Sequence, residues 1–472
     1  MSKITFGTSG WRAIISEDFT FTNVRLVAQA ISQYLINEQL SDRGVVIGYD
    51  TRFLSDTFAE LCAEVLAGNG IPVFLSDRNV PTPAISLEII LRQAAGGINL
   101  TASHNPPEYN GIKFSPFTGG PAPKEVTGKI EQIANKLVKT NAVPKMIPLG
   151  EAKNKGIVQE IDIKSRYLEN IKEKIDLATI GKAQLNLIID MLYGTGVGYL
   201  DTLLTESGCQ VEVLHNYRDV YFGGRTPEPS EKNLSELITQ VKVKKAQLGL
   251  ALDGDADRFG IIDSDGTYIT PDQVISLLFL YLIESRGWDG AVVRTIATTR
   301  LIDAIAKQQG IKVYETPVGF KYIGELMTQS QIIIGGEESG GLSIYRHIPE
   351  KDGIIACLLI AELVAKKQKS LGQLLQEIYA QYGTYYAYRL DLKIDETQKR
   401  GVLHQIRSDT PTKFAGLKMK EIKTIDGICF MLEDGSWVLI RPSGTEPILR
   451  CYLESHSQEQ LAKLIEATRK LI

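Results

Sequence analysis

The chain has 472 residues, 43% of them apolar and 23% charged, which is the composition of a water-soluble globular protein and excludes a disordered or fibrous one. Its 52 basic and 56 acidic residues leave a net charge of -4, so no general basic field exists to attract nucleic acid or anionic lipid. Any anionic ligand must be held by local groups.

The five cysteines, Cys62, Cys209, Cys357, Cys429 and Cys451, lie far apart and form no Cys-x-x-Cys pair, so a reduced, cytoplasmic setting is expected. Apolar stretches such as Val274–Ile283 and Ile354–Ile360 fall short of the roughly 20 residues that span a bilayer, and the N-terminus lacks a basic region followed by an apolar one. The expectation is an untargeted, soluble protein with neither membrane nor nucleic acid as partner. At roughly 100–200 residues per domain, the length implies three or four domains.

One unit recurs three times: a short apolar strand, a polar turn, an amphipathic helix, and a glycine opening a second strand. The first copy runs from Val45-Val46-Ile47 through Asp50-Thr51-Arg52 and the helical positions Phe58, Leu61, Cys62, Val65 and Leu66 to Gly70-Ile71-Pro72-Val73. The second runs from Leu187-Ile188-Ile189 past Gly194, Gly196, Leu200, Leu203 and Leu204 to Gly208 and Val211–Leu214. A third starts at Val292-Val293 and passes Arg300, Leu301, Ile302 and Ile305 to Gly310-Ile311-Lys312-Val313. Such units are strand–helix–strand elements of α/β sheets, and their wide, uneven spacing suits separate domains better than a solenoid. After about residue 380 the texture shifts to alternating runs, Tyr386–Leu390 and Trp437–Ile440, and a terminal helix carrying Leu461, Leu464, Ile465 and Leu471, which predicts a smaller α+β domain. The polar stretch Thr140–Gly156 reads as a linker between the first two domains.

Four kinds of turn could carry chemistry. Thr101-Ala102-Ser103-His104-Asn105-Pro106-Pro107 follows the apolar run Gly96–Leu100, so Ser103 is held on a loop at a strand end. By itself such a turn is ordinary, and it lacks the glycines of a hydrolase elbow. Asp253-Gly254-Asp255-Ala256-Asp257-Arg258 follows the apolar Leu248–Leu252; three alternate carboxylates at a buried strand end repel one another unless a cation sits among them, and oxygen ligands suit Mg²⁺ or Ca²⁺. An EF-hand loop is excluded, because its sixth and twelfth positions would be Arg258 and Ser264, and the remaining alternative is a solvated acidic turn. Arg258 beside the carboxylates adds an anion-binding fork. Arg441-Pro442-Ser443-Gly444-Thr445-Glu446-Pro447 offers a guanidinium, two hydroxyls and a glycine backbone to a phosphate, or is simply a capped turn. Finally come the glycine turns Thr316–Lys321 and Gly335–Gly341, the second offering Glu338 and Ser339 to sugar hydroxyls.

Taken together, from Gly7-Thr8-Ser9-Gly10-Trp11-Arg12 to Arg441–Pro447, these motifs resemble, in order and interval, the α-D-phosphohexomutase superfamily of phosphoglucomutases, phosphomannomutases and phosphoglucosamine mutases. The resemblance implies an α/β fold of four domains around a central cleft: three similar α/β domains with mixed sheets and a smaller C-terminal α+β domain. The boundaries expected are 1–146 for the phosphoserine domain, 147–258 for the metal-loop domain, 259–375 for the sugar-loop domain and 376–472 for the phosphate-binding domain. It also implies that Ser103 becomes phosphorylated and that Asp253, Asp255 and Asp257 hold Mg²⁺ together with a phosphoserine oxygen. Lys113 and Arg12 then match positions for proton transfer and charge stabilisation, His104 lies beside the phosphoserine, and Arg258 helps offset charge at the phosphorus. Lys321, Gly336, Glu338 and Ser339 contact the sugar phosphate, and Arg441, Ser443, Gly444 and Thr445 hold its non-reacting phosphate. The implied reaction interconverts hexose 1-phosphate and hexose 6-phosphate through a bound 1,6-bisphosphate, with glucose 1,6-bisphosphate as activator.

Some relatives carry a histidine where this chain has Gly341, and their histidine-bearing second-domain turn here reads Gly224-Arg225-Thr226-Pro227-Glu228-Pro229. Pro317–Lys321 and Gly336–Ser339 instead look like the phosphoglucomutase versions, so glucose phosphate is the expected substrate and mannose phosphate the alternative. A glucose-1,6-bisphosphate synthase would use the same motifs. A sugar-phosphate-binding regulator would keep the fold without turnover.

Overall fold

The computed structural model describes residues 3–7, 10–408, 411–442 and 448–472. The first sheet contains β1 (Trp11–Ile14), β2 (Val45–Tyr49), β3 (Val73–Ser76), β4 (Gly96–Leu100), β5 (Tyr109–Pro116) and β6 (Val158–Ile161), in the order β1-β5-β4-β2-β3-β6. The second contains β7 (Asn186–Asp190), β8 (Gln210–Leu214), β9 (Leu248–Leu252), β10 (Phe259–Asp263) and β11 (Tyr268–Ile269), in the order β11-β10-β9-β7-β8. The third contains β12 (Ala291–Thr295), β13 (Lys312–Thr316), β14 (Ile332–Glu337) and β15 (Gly341–Ile344), in the order β13-β12-β14-β15.

All three sheets share one plan. The opening strand, β2, β7 or β12, lies between two parallel neighbours. The third strand of each unit, β4, β9 or β14, then turns back into an antiparallel partner, β5, β10 or β15. The opening strands are almost wholly buried runs of Val, Ile and Leu, the pattern required of parallel strands covered by helices on both faces.

Two sheets run past the boundaries expected at 146 and 258. Beyond the polar linker, which itself contains the helix Leu149–Asn154, β6 pairs with β3 and so covers a backbone edge that would otherwise be open. Past Arg258, β10 and β11 stay in the second sheet because β10 pairs with β9 along its whole length.

The last sheet is antiparallel throughout: β16 (Tyr386–Lys393), β17 (Lys413–Phe414), β18 (Leu417–Lys423), β19 (Ile428–Leu432), β20 (Trp437–Pro442) and β21 (Ile448–Ser455), in the order β16-β21-β20-β19-β18-β17. Leu390, Phe430, Val438, Ile440, Leu449 and Leu453 form its core with Leu464 of the terminal helix Gln458–Leu471. The texture change after residue 380 is this domain.

The helix Gly353–Lys367 is apolar on nearly every side and buried from Gly353 to Ala365, as befits a helix packed on all faces. It touches β9 and β10 of the second sheet and β15 of the third, and so joins two domains. Asp352 caps it by accepting from the Ile355 amide at 3.0 Å, and also accepts from Tyr167 Oη at 2.7 Å. The five cysteines are buried and free of disulfides. No helix among the described residues is long and apolar enough to cross a membrane.

Ile296 and Ala297 of the third domain pack against Cys429, Trp437, Leu439 and Tyr452 of the fourth. Glu454 is buried beside this apolar seam, accepting hydrogen bonds from Trp437 Nε1 at 2.8 Å and the Arg300 amide at 2.9 Å. Burial pushes its pKa up to about 7, against the opposing pull of Thr299, Trp437 and Arg294. A carboxyl whose folded pKa is raised contributes stability in full below its unfolded value near 4.5 and loses it as pH rises through about 7. Glu454→Gln is therefore expected to reduce the fall in thermal stability between about pH 4.5 and 7, by up to about 3 kcal/mol over that window, measured by calorimetric melts across it. An unchanged slope would show that Glu454 ionises normally.

Candidate active site

The shared plan of the three sheets places three motifs in equivalent positions. The serine loop joins β4 to β5, the acidic loop joins β9 to β10, and the sugar loop joins β14 to β15. Each lies past the carboxyl end of a parallel strand, where open α/β sheets place ligands.

Ser103 is 1% exposed and adopts a left-handed backbone with φ of 52°. Its amide is held by Thr101 Oγ1 at 2.9 Å, and Thr101 in turn donates to Asp50 Oδ2 at 2.6 Å. Ser103 Oγ donates to Asp253 Oδ2 at 2.8 Å, across the boundary between the first and second domains. Gly254 permits this approach, because a Cβ there would lie 2.8 Å from the Ser103 carbonyl oxygen. His104 Nδ1 is 3.4 Å from Ser103 Oγ. Burial, aided by Arg258 and Arg12, pulls the His104 pKa well below its usual value, so the ring is neutral. Arg12 on β1 donates to Asn105 Oδ1 at 2.6 Å and so braces the serine loop from its other side.

Asp253, Asp255 and Asp257 are all buried, and each offers an oxygen within 4.8 Å of the other two. Burial, reinforced by the neighbouring carboxylates, drives the Asp253 pKa well above normal, the mark of negative charges packed too closely to be stable alone. Asp253 Oδ1 accepts from the amides of Asp257 and Arg258, which shapes the turn. Lys113 Nζ reaches Asp255 Oδ2 at 2.6 Å and Asp257 Oδ2 at 3.2 Å. Burial lowers the Lys113 pKa, but Asp255 and Asp257 outweigh it and hold the pKa above normal. In this state Lys113 supplies charge or a proton; it does not accept one. The Oδ1 atoms of Asp255 and Asp257 are buried and have no hydrogen-bond partner among the described residues. Orphaned hard oxygens in a triad of this size fit a divalent cation of the Mg²⁺ class.

Lys351, absent from the sequence expectation, approaches Asp257 Oδ2 at 3.1 Å and Glu350 Oε1 at 3.1 Å. Gly341 makes its route possible: a Cβ there would lie 2.1 Å from Lys351 Cδ. The available signal was the charged triplet Glu350-Lys351-Asp352 set directly before the apolar run Ile354–Ile360. Thr82 was also missed. Its amide donates to the Asp255 carbonyl at 2.9 Å and its hydroxyl to Asp255 Oδ2, while Asn99 donates to the same hydroxyl at 2.7 Å.

The sugar loop abuts the acidic loop, with the Phe259 amide donating to the Gly340 carbonyl at 3.1 Å. Gly336 lies in β14, and a Cβ there would strike Ile275, so its role is packing. Glu338 Oε2 accepts from Thr295 Oγ1 at 3.2 Å, and Ser339 follows it in the same turn. Glu337 accepts from the Gly319 amide at 2.8 Å; burial and the adjacent Glu338 raise its pKa to about 7. Lys321 sits in the first turn of the helix Phe320–Gln329 with its ammonium 5.0 Å from the Tyr322 ring centroid. Arg441 Nε donates to Asp426 Oδ2 at 2.6 Å, and the same oxygen takes the Val318 amide at 3.0 Å, tying the third domain's loop to the fourth domain. Ser443, Gly444 and Thr445, like Thr8 and Ser9, lie outside the described residues.

A serine set against buried carboxylates thus lies at the junction of repeated α/β domains, an architecture that comparison with known proteins assigns to a class. Four family models match in order: phosphoglucomutase/phosphomannomutase alpha/beta/alpha domain I over residues 3–141, domain II over 165–266, domain III over 270–382, and the C-terminal domain over 393–471. The chain is 33% identical over 472 residues to a phosphoglucomutase/phosphomannomutase of Thermococcus kodakarensis, covering 100% of this chain and 99% of that protein. It is 31% identical over 471 residues to a Methanosphaera stadtmanae protein assigned as a phosphoglucosamine mutase, covering 99% and 98%. The crystal structure of a Thermus thermophilus protein assigned as a phosphomannomutase superposes with a TM-score of 0.86 at 35% identity, covering 100% and 99%. The chain belongs to the phosphoglucomutase/phosphomannomutase family of the α-D-phosphohexomutase superfamily.

Because Thr82 orients Asp255, Thr82→Val is expected to weaken Mg²⁺ binding by about 10- to 100-fold, measured by isothermal titration calorimetry. Unchanged affinity would show that the Thr82 hydroxyl does not set the Asp255 carboxylate for a cation.

Proposed function

We propose that this protein is a mutase that moves a phosphoryl group between the 1 and 6 positions of a hexose phosphate, with glucose phosphate preferred, through a phosphorylated Ser103 and a bound 1,6-bisphosphate. The observation that carries the reading is Ser103 Oγ at 2.8 Å from Asp253, with Lys113 in contact with Asp255 and Asp257.

A phosphoserine brings a charge of about -1.5 to -2, which three neighbouring carboxylates would repel. Asp253, Asp255 and Asp257 would hold Mg²⁺ there, and its chemistry would be to offset that charge. The protein's own cations surround the same point: Arg12, Lys113, Arg258 and Lys351. In the forward step the bond from phosphorus to Ser103 Oγ breaks as a bond to the sugar hydroxyl oxygen forms, and the hydroxyl proton leaves to a base. Lys113 is placed to take that role once its pairing with Asp255 and Asp257 is relieved, and to support the charge on phosphorus before then. The reverse transfer to Ser103 Oγ uses the other phosphate after the bisphosphate has turned over. A distant anion cradle must therefore accept either phosphate, the part read for Lys321, Arg441, Ser443, Gly444 and Thr445.

Glu338 and Ser339 stand beside the acidic loop, where sugar hydroxyls would arrive. The glucose preference rests on the phosphoglucomutase-like turns at Pro317–Lys321 and Gly336–Ser339 and on Gly341. Relatives assigned to glucosamine phosphate add that sugar as an alternative beside mannose phosphate.

In a coupled assay with Mg²⁺, conversion of glucose 1-phosphate to glucose 6-phosphate is expected, stimulated by trace glucose 1,6-bisphosphate and reduced at least about 10⁴-fold in Ser103→Ala. Faster turnover of glucosamine 1-phosphate or mannose 1-phosphate would change only the sugar assigned. Accumulating bisphosphate would indicate a bisphosphate synthase, and binding without turnover a regulatory protein.

A further inference from the structure

Arg52 is absent from every role described so far, yet it is among the largest fully buried side chains of the described residues. It lies beneath the serine loop. Its Nη1 donates to the carbonyls of Pro106 at 2.8 Å and Tyr109 at 3.0 Å, and its Nη2 to those of Ser103 at 2.6 Å and Asn105 at 2.6 Å. Its Nε faces Asp50 Oδ2 at 3.2 Å. One planar group thus gathers four carbonyls from both ends of the loop.

The loop itself supplies little to these oxygens: the Tyr109 amide donates to the Pro106 carbonyl at 3.1 Å, and other local donors are scarce. Pro106 and Pro107 bring no N–H, and Ser103 sits at a positive φ that breaks regular hydrogen bonding. A lysine ammonium, with three tetrahedral donors on a flexible stem, cannot reproduce the planar fork. The guanidinium is also engaged by the second domain. The Phe222 ring stacks at 4.9 Å from its central carbon, while the backbone at its root is held separately by Arg218, which donates to the carbonyls of Thr51 and Arg52, both at 3.1 Å. That same domain carries Asp253, the partner of Ser103 Oγ.

We propose that Arg52 is a positioning residue for phosphoryl transfer. By drawing four carbonyls of the Ser103–Tyr109 loop onto one fork, it fixes where Ser103 Oγ stands relative to Asp253, and through the Phe222 ring it ties that position to the second domain. This rests on the reading of Ser103 as the phosphoryl carrier. The guanidinium's own partners are loop carbonyls, Asp50 and Phe222, so the effect of Arg52 is expected on the transfer step and not on sugar binding.

The test uses Arg52→Lys and Phe222→Leu in the full chain, with three readouts: hydrogen–deuterium exchange of the amides at 101–110, the rate of Ser103 phosphorylation by glucose 1,6-bisphosphate followed by intact mass, and KM for glucose 1-phosphate. In Arg52→Lys, loop exchange is expected to rise about tenfold and Ser103 phosphorylation to slow about 100-fold, with KM within about threefold of wild type. Phosphorylation within about threefold of wild type, or a raised KM with kcat unchanged, would overturn the proposal. If Arg52→Lys does not fold, Phe222→Leu decides: phosphorylation slowed by about three- to tenfold in a normally melting protein supports the coupling, and an unchanged rate overturns it. Should wild-type Ser103 take up no phosphate, the reading of Ser103 fails on its own. The exchange arm then decides alone, and unchanged loop exchange in Arg52→Lys, or in Phe222→Leu where Arg52→Lys does not fold, overturns the role of Arg52.

Discussion

Three carboxylates buried within reach of one another cannot remain charged without cations beside them, and the structure around Asp253, Asp255 and Asp257 is organised by that requirement. The first domain contributes Lys113 and Arg12, the acidic loop itself contributes Arg258, and the third domain contributes Lys351. Three domains therefore meet where negative charge is most concentrated. Burial raises the electrostatic stakes, since each interaction is stronger than it would be in water, and an uncompensated charge would be correspondingly costly.

The repeated plan of the three sheets explains how such a site could be assembled from separate segments. The connection from the third parallel strand to its antiparallel partner carries Ser103 in the first domain, the three clustered carboxylates in the second and the glycine turn with Glu338 and Ser339 in the third. The same turn in the same fold thus presents a different set of polar side chains each time. Strand ends are rigidly placed by the sheets, so short loops can aim side chains from three directions at one point.

Contacts between domains are correspondingly specific at the site. Thr82 reaches from the first domain to Asp255, Thr51 donates to the Tyr193 carbonyl, and the Gly353 amide donates to the Ala256 carbonyl. On the far side, Asp426 bridges Arg441 and the Val318 amide. Glycine sets two of the closest approaches. At Gly254 a side chain would press the serine loop away, and at Gly341 it would displace the stem of Lys351.

Strand–helix periodicity in three places, the shift to alternating strands after residue 380 and the acidic and serine turns at strand ends are local patterns, and local patterns are written in the sequence. The ordering of motifs added the family, because their order and spacing along the chain are themselves sequence facts. Three things depended on tertiary structure. The sheet boundaries did, because β6 and β10 join the sheets whose strands they can pair with, wherever a linker or loop intervenes. So did the partners of the acidic loop: Lys351 and Thr82 stand far from Asp255 and Asp257 in the chain and meet them only once the domains pack. Arg52 was legible only as a polar turn residue, since its four carbonyl partners become apparent when the serine loop folds over it. The chemical groups and their local settings belong to the sequence. Which of them share a buried charge is decided by packing, because electrostatic pairing depends on distance through space and not along the chain.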